Sequence, residues 1–194
     1  MKRETNYTIR KAQPSDAEHC VPIIIEVIGP IANNLSGSND PDITREVLSD
    51  FFGQADNRLS YQNCIVAVLD SGDIVGVLVA YCGSQTKKLD QPYIDRIWQK
   101  NGQRTEIVKE AQDDEYYLDT IGVVETHRGM GIGAALIRQF EQQAAAEGHT
   151  KLGLLADEEN TRAQKLYQSM GYCVDGKLWV CGHFFWHLSK HITA

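Results

Sequence analysis

Tyr116 to Asn160 reads YYLDTIGVVETHRGMGIGAALIRQFEQQAAAEGHTKLGLLADEEN. Up to Val124 it is a mostly apolar run with β-branched Thr120, Ile121, Val123 and Val124, which suits a strand buried on both faces. Arg128, Gly129, Gly131 and Gly133 break that run. From Ala134 the apolar positions Ala135, Leu136, Phe140 and Ala144 recur at helical intervals, and Lys151 to Ala156 is a second apolar run. The stretch is therefore strand, glycine-rich turn, long helix and strand, a βαβ unit. Its glycines fall at a helix N-terminus, where the first N–H groups lack intrahelical partners and the macrodipole is positive. A phosphate docks there if no Cβ atoms obstruct it, and glycine removes them while permitting positive φ.

This pattern alone leaves two readings. Gly129-x-Gly131-x-x-Ala134 also satisfies the dinucleotide fingerprint, and the second strand ends at acidic Asp157, where a ribose would lie. Against it, the unit comes late in the chain, no further βα repeats follow, and Glu125 to Arg128 intervene between strand and first glycine.

The residues that follow bear on the choice. Asp157-x-x-Asn160-x-x-Ala163-x-x-Leu166-Tyr167-x-x-x-Gly171-Tyr172 puts Asn160 near the start of a short helix and Tyr167 two turns along it. Taken with Arg128-x-x-Gly131-x-Gly133, this resembles the GNAT superfamily of acyl-CoA-dependent N-acetyltransferases, most strongly over residues 115 to 173.

The resemblance implies a single α/β domain with a mixed, mostly antiparallel sheet flanked by helices and splayed at the acetyl-CoA site. It implies that Arg128, Gly129, Met130, Gly131, Ile132, Gly133 and Ala134 bind the coenzyme A pyrophosphate and that Asn160 and Tyr167 face the pantetheine arm and the sulfur. Ile121 and Val123 would supply the strand edge with which pantetheine pairs, and a strand N–H would polarise the thioester carbonyl. The implied reaction is direct transfer of acetyl from acetyl-CoA, a cosubstrate, to a primary amine in a ternary complex, with no metal and with Tyr167 protonating the departing thiolate. Two other readings stay open, a non-catalytic acyl-CoA sensor and a nucleotide-binding module.

For the general base the expectation is Glu115, which occupies the position where several family members carry a catalytic glutamate, with Asp119 as runner-up. Residues 115, 117, 119, 121 and 123 share one face by strand parity, so with Val123 beside pantetheine Glu115 would lie further back on the same side. A carboxylate there would take a proton from an amine that is mostly charged at neutral pH.

A chain of 194 residues is long enough for one domain with a substantial core. Its 42% hydrophobic and 23% charged content is that of a globular protein, and no apolar run approaches the ~20 residues of a membrane span. The sequence carries no signal-peptide or anchor pattern. Five scattered cysteines fit reduced thiols and a cytoplasmic location. A formal charge of −7 disfavours nucleic acid and favours a cationic partner, a small-molecule amine or a peptide or protein amine. A homodimer is compatible with all of this.

Along the chain, Tyr7 to Arg10 reads as a strand and Pro14 to Glu18 as a helix start, with Ser15 and Glu18 forming a capping box. Pro22 should kink or shorten that helix. Asn33 to Asp40 reads as loop and Ile43 to Phe52 as helix. Asn63 to Leu69 and Ile74 to Tyr81 form a hairpin about Asp70-Ser71-Gly72-Asp73. Residues 84–114 are a polar helical insertion, with one helix from Pro92 to Asn101 and a second from Thr105 to Gln112. Gly171 to Val174 and Leu178 to Leu188 close the sheet around Asp175-Gly176-Lys177, and Cys173 reads as a core thiol. Cys181, His183 and His187, two and four residues apart and so on one strand face, invite a metal reading, but no second ligand pair appears.

Overall fold

In the computed structural model, which describes residues 6–102 and 104–193, seven strands form one open mixed sheet in the order β1-β2-β3-β4-β5-β7-β6. The strands are β1 (Tyr7–Lys11), β2 (Cys64–Leu69), β3 (Ile74–Cys82), β4 (Tyr116–Val123), β5 (Lys151–Asp157), β6 (Cys173–Val180) and β7 (His183–His191). The helices are α1 (Ala17–Ile28), α2 (Pro30–Ser36), α3 (Pro41–Phe52), α4 (Thr86–Asn101), α5 (Ile132–Ala146) and α6 (Thr161–Ser169). All neighbouring strands are antiparallel except β4 and β5, which α5 joins as a parallel pair. The βαβ unit legible in the sequence is thus the hinge of the sheet.

Strand alternation distributes the apolar residues to two layers. Val66, Val77 and Val79 pack under α1 and α3 with Ile24, Leu48 and Phe52, and Gly122 lies so close beneath α1 that a Cβ there would stand 2.5 Å from Ile23. On the other face Leu78, Ala80, Leu118, Leu152 and Leu154 pack under α5 with Leu136, Ile137 and Phe140. Tyr81, Tyr117, Leu89 and Ala111 extend the first layer beneath α4 and residues 104–115.

A β-bulge interrupts β4. Val79 pairs with Thr120 and Ala80 with Leu118, so Asp119 is the extra residue. Before the bulge the odd residues face the α1/α4 layer, as Tyr117 does. After it Ile121 and Val123 pack in the α5 layer. The expected single face for 115 to 123 is therefore wrong, because one inserted residue inverts the alternation.

Other boundaries also move. Gln13 and Asp16, not Ser15 and Glu18, begin the first helical segment, with Asp16 Oδ2 accepting from Gln13 N at 2.8 Å, and α1 continues through Pro22 to Ile28. Asn33 to Ser36 belongs to α2, because Pro30 starts a helix whose Ala32 and Leu35 are buried. Residues 84–114 hold one long helix, α4, whose Leu89, Tyr93 and Ile97 are buried, while Thr105 to Gln112 is irregular. The last hairpin turns at Cys181-Gly182, both at positive φ as a type I′ turn requires, and Asp175 is a bulge inside β6. Cys181 thus leaves the strand that holds His183 and His187, and Cys173 is exposed rather than core.

Candidate active site

From β4 the chain passes through one 3₁₀ turn, Glu125–His127, to Arg128 and the glycines, and Gly131 caps α5. Gly129 and Gly131 stand at φ +82° and +86°, a region costly to any residue with a Cβ. Gly133 is different. It lies in the first turn of α5 without positive φ, and a Cβ on it would meet only a Val123 methyl at 3.9 Å. Neither conformation nor packing inside the protein demands glycine there, whereas a ligand backed against the helix N-terminus would favour a residue no larger than alanine. Ile132 turns inward and is buried, Ala134 is half-buried and Met130 exposed, so this run offers mainly its backbone.

Arg128 braces the turn. Its Nε donates to the Val123 carbonyl at 2.9 Å and its guanidinium pairs with Glu26 of α1. A second cation, Arg162 in the first turn of α6, stands with Nη2 3.9 Å from where a Gly129 Cβ would be. Sequence reading passed over Arg162, although its place two residues after Asn160 puts it on the helix that faces the turn. Together these residues fit a phosphate group.

Beside the turn the sheet opens. β4 and β5 pair only from Tyr116–Leu118 to Leu152–Leu154, and beyond them the β4 edge has no strand partner on that side among the described residues. Val124 N donates to Val75 of β3. Because backbone groups alternate sides along a strand, Val123 and Ile121 direct theirs into the gap, where Arg128 reaches the Val123 carbonyl.

Tyr167 and Asn160 come from α6, whose buried face joins the α5 layer. Asn160 is the N-cap, its Oδ1 accepting from Ala163 N at 3.1 Å. Tyr167 is buried and stands edge-on to Tyr172, and burial pushes its phenol up to about 12, so it is protonated at neutral pH.

Glu115 and Asp119 lie on the opposite face of the sheet from Tyr167. Glu115 is fully buried. Its Oε1 accepts from Gln112 N at 2.8 Å and contacts His187 Nε2 at 3.2 Å, while Oε2 has no hydrogen-bond partner among the described residues. Asp119 is engaged at both oxygens: Arg58 Nε and the Tyr81 hydroxyl each donate to Oδ2 at 2.6 Å, and Thr120 donates to Oδ1. Sequence reasoning brought neither to these partners, since Arg58 and His187 are remote in the chain.

Around Arg58 a buried network gathers three carboxylates. Its Nη2 donates to Glu110 at 2.7 Å, Asp90 lies 3.6 Å from Nη1, and the Tyr117 hydroxyl donates to Glu110. Burial alone would lower the Arg58 pKa, but the surrounding negative charge, chiefly Asp119, raises it well above the ordinary value. For Asp90, burial dominates and lifts the carboxyl to about 6. One guanidinium against three carboxylates leaves this face acidic.

The model of the acetyltransferase (GNAT) family matches residues 36–172. Among solved structures, one described as an acetyltransferase is 29% identical with a TM-score of 0.78, covering 95% of this chain and 98% of its own. An N-acetyltransferase from Staphylococcus aureus Mu50 is 25% identical, also at 0.78, covering 94% and 100%. A polyamine N-acetyltransferase from Drosophila melanogaster, at 14% identity and TM-score 0.60 over 96% and 100%, shares the fold. No curated protein matches the chain. An open glycine turn at the N-terminus of α5, a strand pair that parts beside it and a family match over more than half of the chain agree: the protein belongs to the GNAT family of acetyltransferases.

Proposed function

We propose that the protein transfers an acetyl group from acetyl-CoA to a primary amine by direct attack in a ternary complex, with coenzyme A along the β4 edge and its pyrophosphate at residues 128–134. The observation that carries this reading is the gap beyond Leu118 and Leu154, where the β4 edge lies open beside the glycine turn. Ile121 and Val123 hold the pantetheine arm in it, Asn160 lies along the arm, and Arg128 and Arg162 flank the phosphates.

Acid and base act from opposite faces. The amine enters on the acidic α1/α4 face and attacks the thioester carbonyl. Glu115, buried at the paired end of β4 and β5, takes the amine proton at Oε2 through a relay of waters from the gap as the C–N bond forms. Tyr167, on the α5 face, gives its proton to the thiolate as the C–S bond breaks. Asp119, saturated by Arg58, Tyr81 and Thr120, shapes the acceptor site and holds its negative charge. Positioning of the two substrates supplies much of the rate.

The acidic face supports a cationic acceptor, either a small amine or an amine of a peptide, and five unpaired thiols support a reducing, cytoplasmic setting. A thiol-release assay with acetyl-CoA over a panel of spermidine, agmatine, a lysyl peptide and a peptide with a free N-terminus tests the reading. Amine-dependent release of coenzyme A supports it, and tight binding of acetyl-CoA without release from any amine would make the protein a sensor.

A further inference from the structure

Three strands beyond β4 converge on the buried carboxylate of Glu115. Gly153 of β5 leaves the space it occupies, since a Cβ there would overlap it at 2.2 Å. His187 of β7, nearly buried, directs Nε2 to Glu115 Oε1 at 3.2 Å. The other ring nitrogen, Nδ1, is in short contact with Asp175 Oδ1 of β6, whose Oδ2 accepts from Ser189 at 2.6 Å. Asp175 reaches His187 because it is the bulged residue of β6. A bulge and a glycine thus serve one chain of contacts from the surface to the buried carboxylate. Such a cluster is more than a core needs, because a buried ion pair or triad is often replaceable as a whole by well-packed apolar side chains at little cost.

We propose that His187 and Asp175 are positioning residues for Glu115: Asp175 fixes the imidazole, the imidazole holds Oε1, and Oε2 is left as the oxygen that accepts the amine proton. This rests on the role of Glu115 proposed above. An imidazole between two carboxylates donates from both nitrogens as the imidazolium. Burial lowers its pKa, and the bonds to Glu115 and Asp175 outweigh burial and raise it. Its positive charge stands 3.2 Å from Oε1 and holds that oxygen in place. The other charged groups at this carboxylate are Lys151 of β5, with Nζ 4.0 Å from Oε2, and Asp114, which Lys151 also bonds. The arrangement resembles in logic a base oriented by a third group.

The test is the pH dependence of kcat/KM with the most active amine of the panel, together with a ¹³C titration of the Glu115 carboxyl in the full-length chain, which needs no turnover. Removing the imidazolium in His187→Gln should move the acidic limb and the carboxyl titration to higher pH by about one unit. Asp175→Asn, at an exposed position, should move both in the same direction by less. Unshifted limb and titration in two folded variants would overturn the proposal, whatever the loss of rate, because a merely structural role lowers activity without moving the limb. Glu115→Gln separates the underlying reading: if it turns over normally while the His187 variant still shifts the carboxyl titration, Glu115 is not the base and the coupling alone stands.

Discussion

The carboxylate of Glu115 lies over Gly153 so closely that a Cβ on residue 153 would stand 2.2 Å from its Cδ and Oε2. A glycine inside a strand is ordinarily a loss of packing and entropy, so its presence here reflects the neighbour. Gly153→Ala should destabilise the fold by roughly 1–3 kcal/mol through overpacking. In a Glu115→Ala background the same change should cost little, giving a coupling of about 0.5–3 kcal/mol in a double-mutant cycle by urea denaturation. Additive effects would show that the carboxylate moves aside freely.

Gly133 separates binding from stability. Because its backbone is helical and a Cβ has room, Gly133→Ala should raise stability by about 0.5–1 kcal/mol and leave coenzyme A affinity nearly unchanged. Gly133→Val adds branched methyls toward the helix N-terminus and should largely abolish coenzyme A binding by calorimetry while the fold survives. Gly131 is a poorer probe, since its φ of +86° would add backbone strain to any substitution. Equal affinity in the alanine and valine variants would move the phosphate site elsewhere.

The local elements of the candidate site were legible in the sequence. The glycine turn and the Asn160/Tyr167 helix are local features, in which spacing along the chain fixes position in space. What escaped depended on tertiary contacts. Nothing in DTIGV announces that Asp119 is an extra residue opposite β3, so the parity rule carried Glu115 to the wrong face relative to Val123. Asp175-Gly176-Lys177 has the composition of a turn and became a bulge, while Cys181-Gly182, a weaker signal, turns the hairpin. Arg58 sits in an irregular connection, and only the packed structure brings Asp90, Glu110 and Asp119 around it.

Tyr167 should act only in the chemical step. Its phenol, raised to about 12 by burial, remains a proton donor throughout the neutral range. Tyr167→Phe keeps the ring in the core and should lower kcat by up to roughly 10²-fold with little change in acetyl-CoA affinity, as pre-steady-state thiol release would report. Normal kcat would return the residue to a purely packing role.

Asp90 makes the acidic face sensitive to pH. Its folded-state carboxyl sits at about 6, raised mainly by burial and by Asp119 and Glu110, against an opposing pull from Arg58 at 3.6 Å. A carboxyl whose folded pKa exceeds its unfolded value contributes its stability below the unfolded value, near 4, and loses it as pH rises through about 6. At pH 8 the ionised Asp90 therefore weakens the fold, by up to about 3 kcal/mol for a displacement of roughly two units. Asp90→Asn removes the charge while Arg58 keeps Asp119 and Glu110. The variant should be more stable than the parent above pH 6, with the difference shrinking toward zero near pH 4, in thermal melts across that range. A variant less stable than the parent at pH 8 would mean that the attraction to Arg58 outweighs the cost of burying the charge.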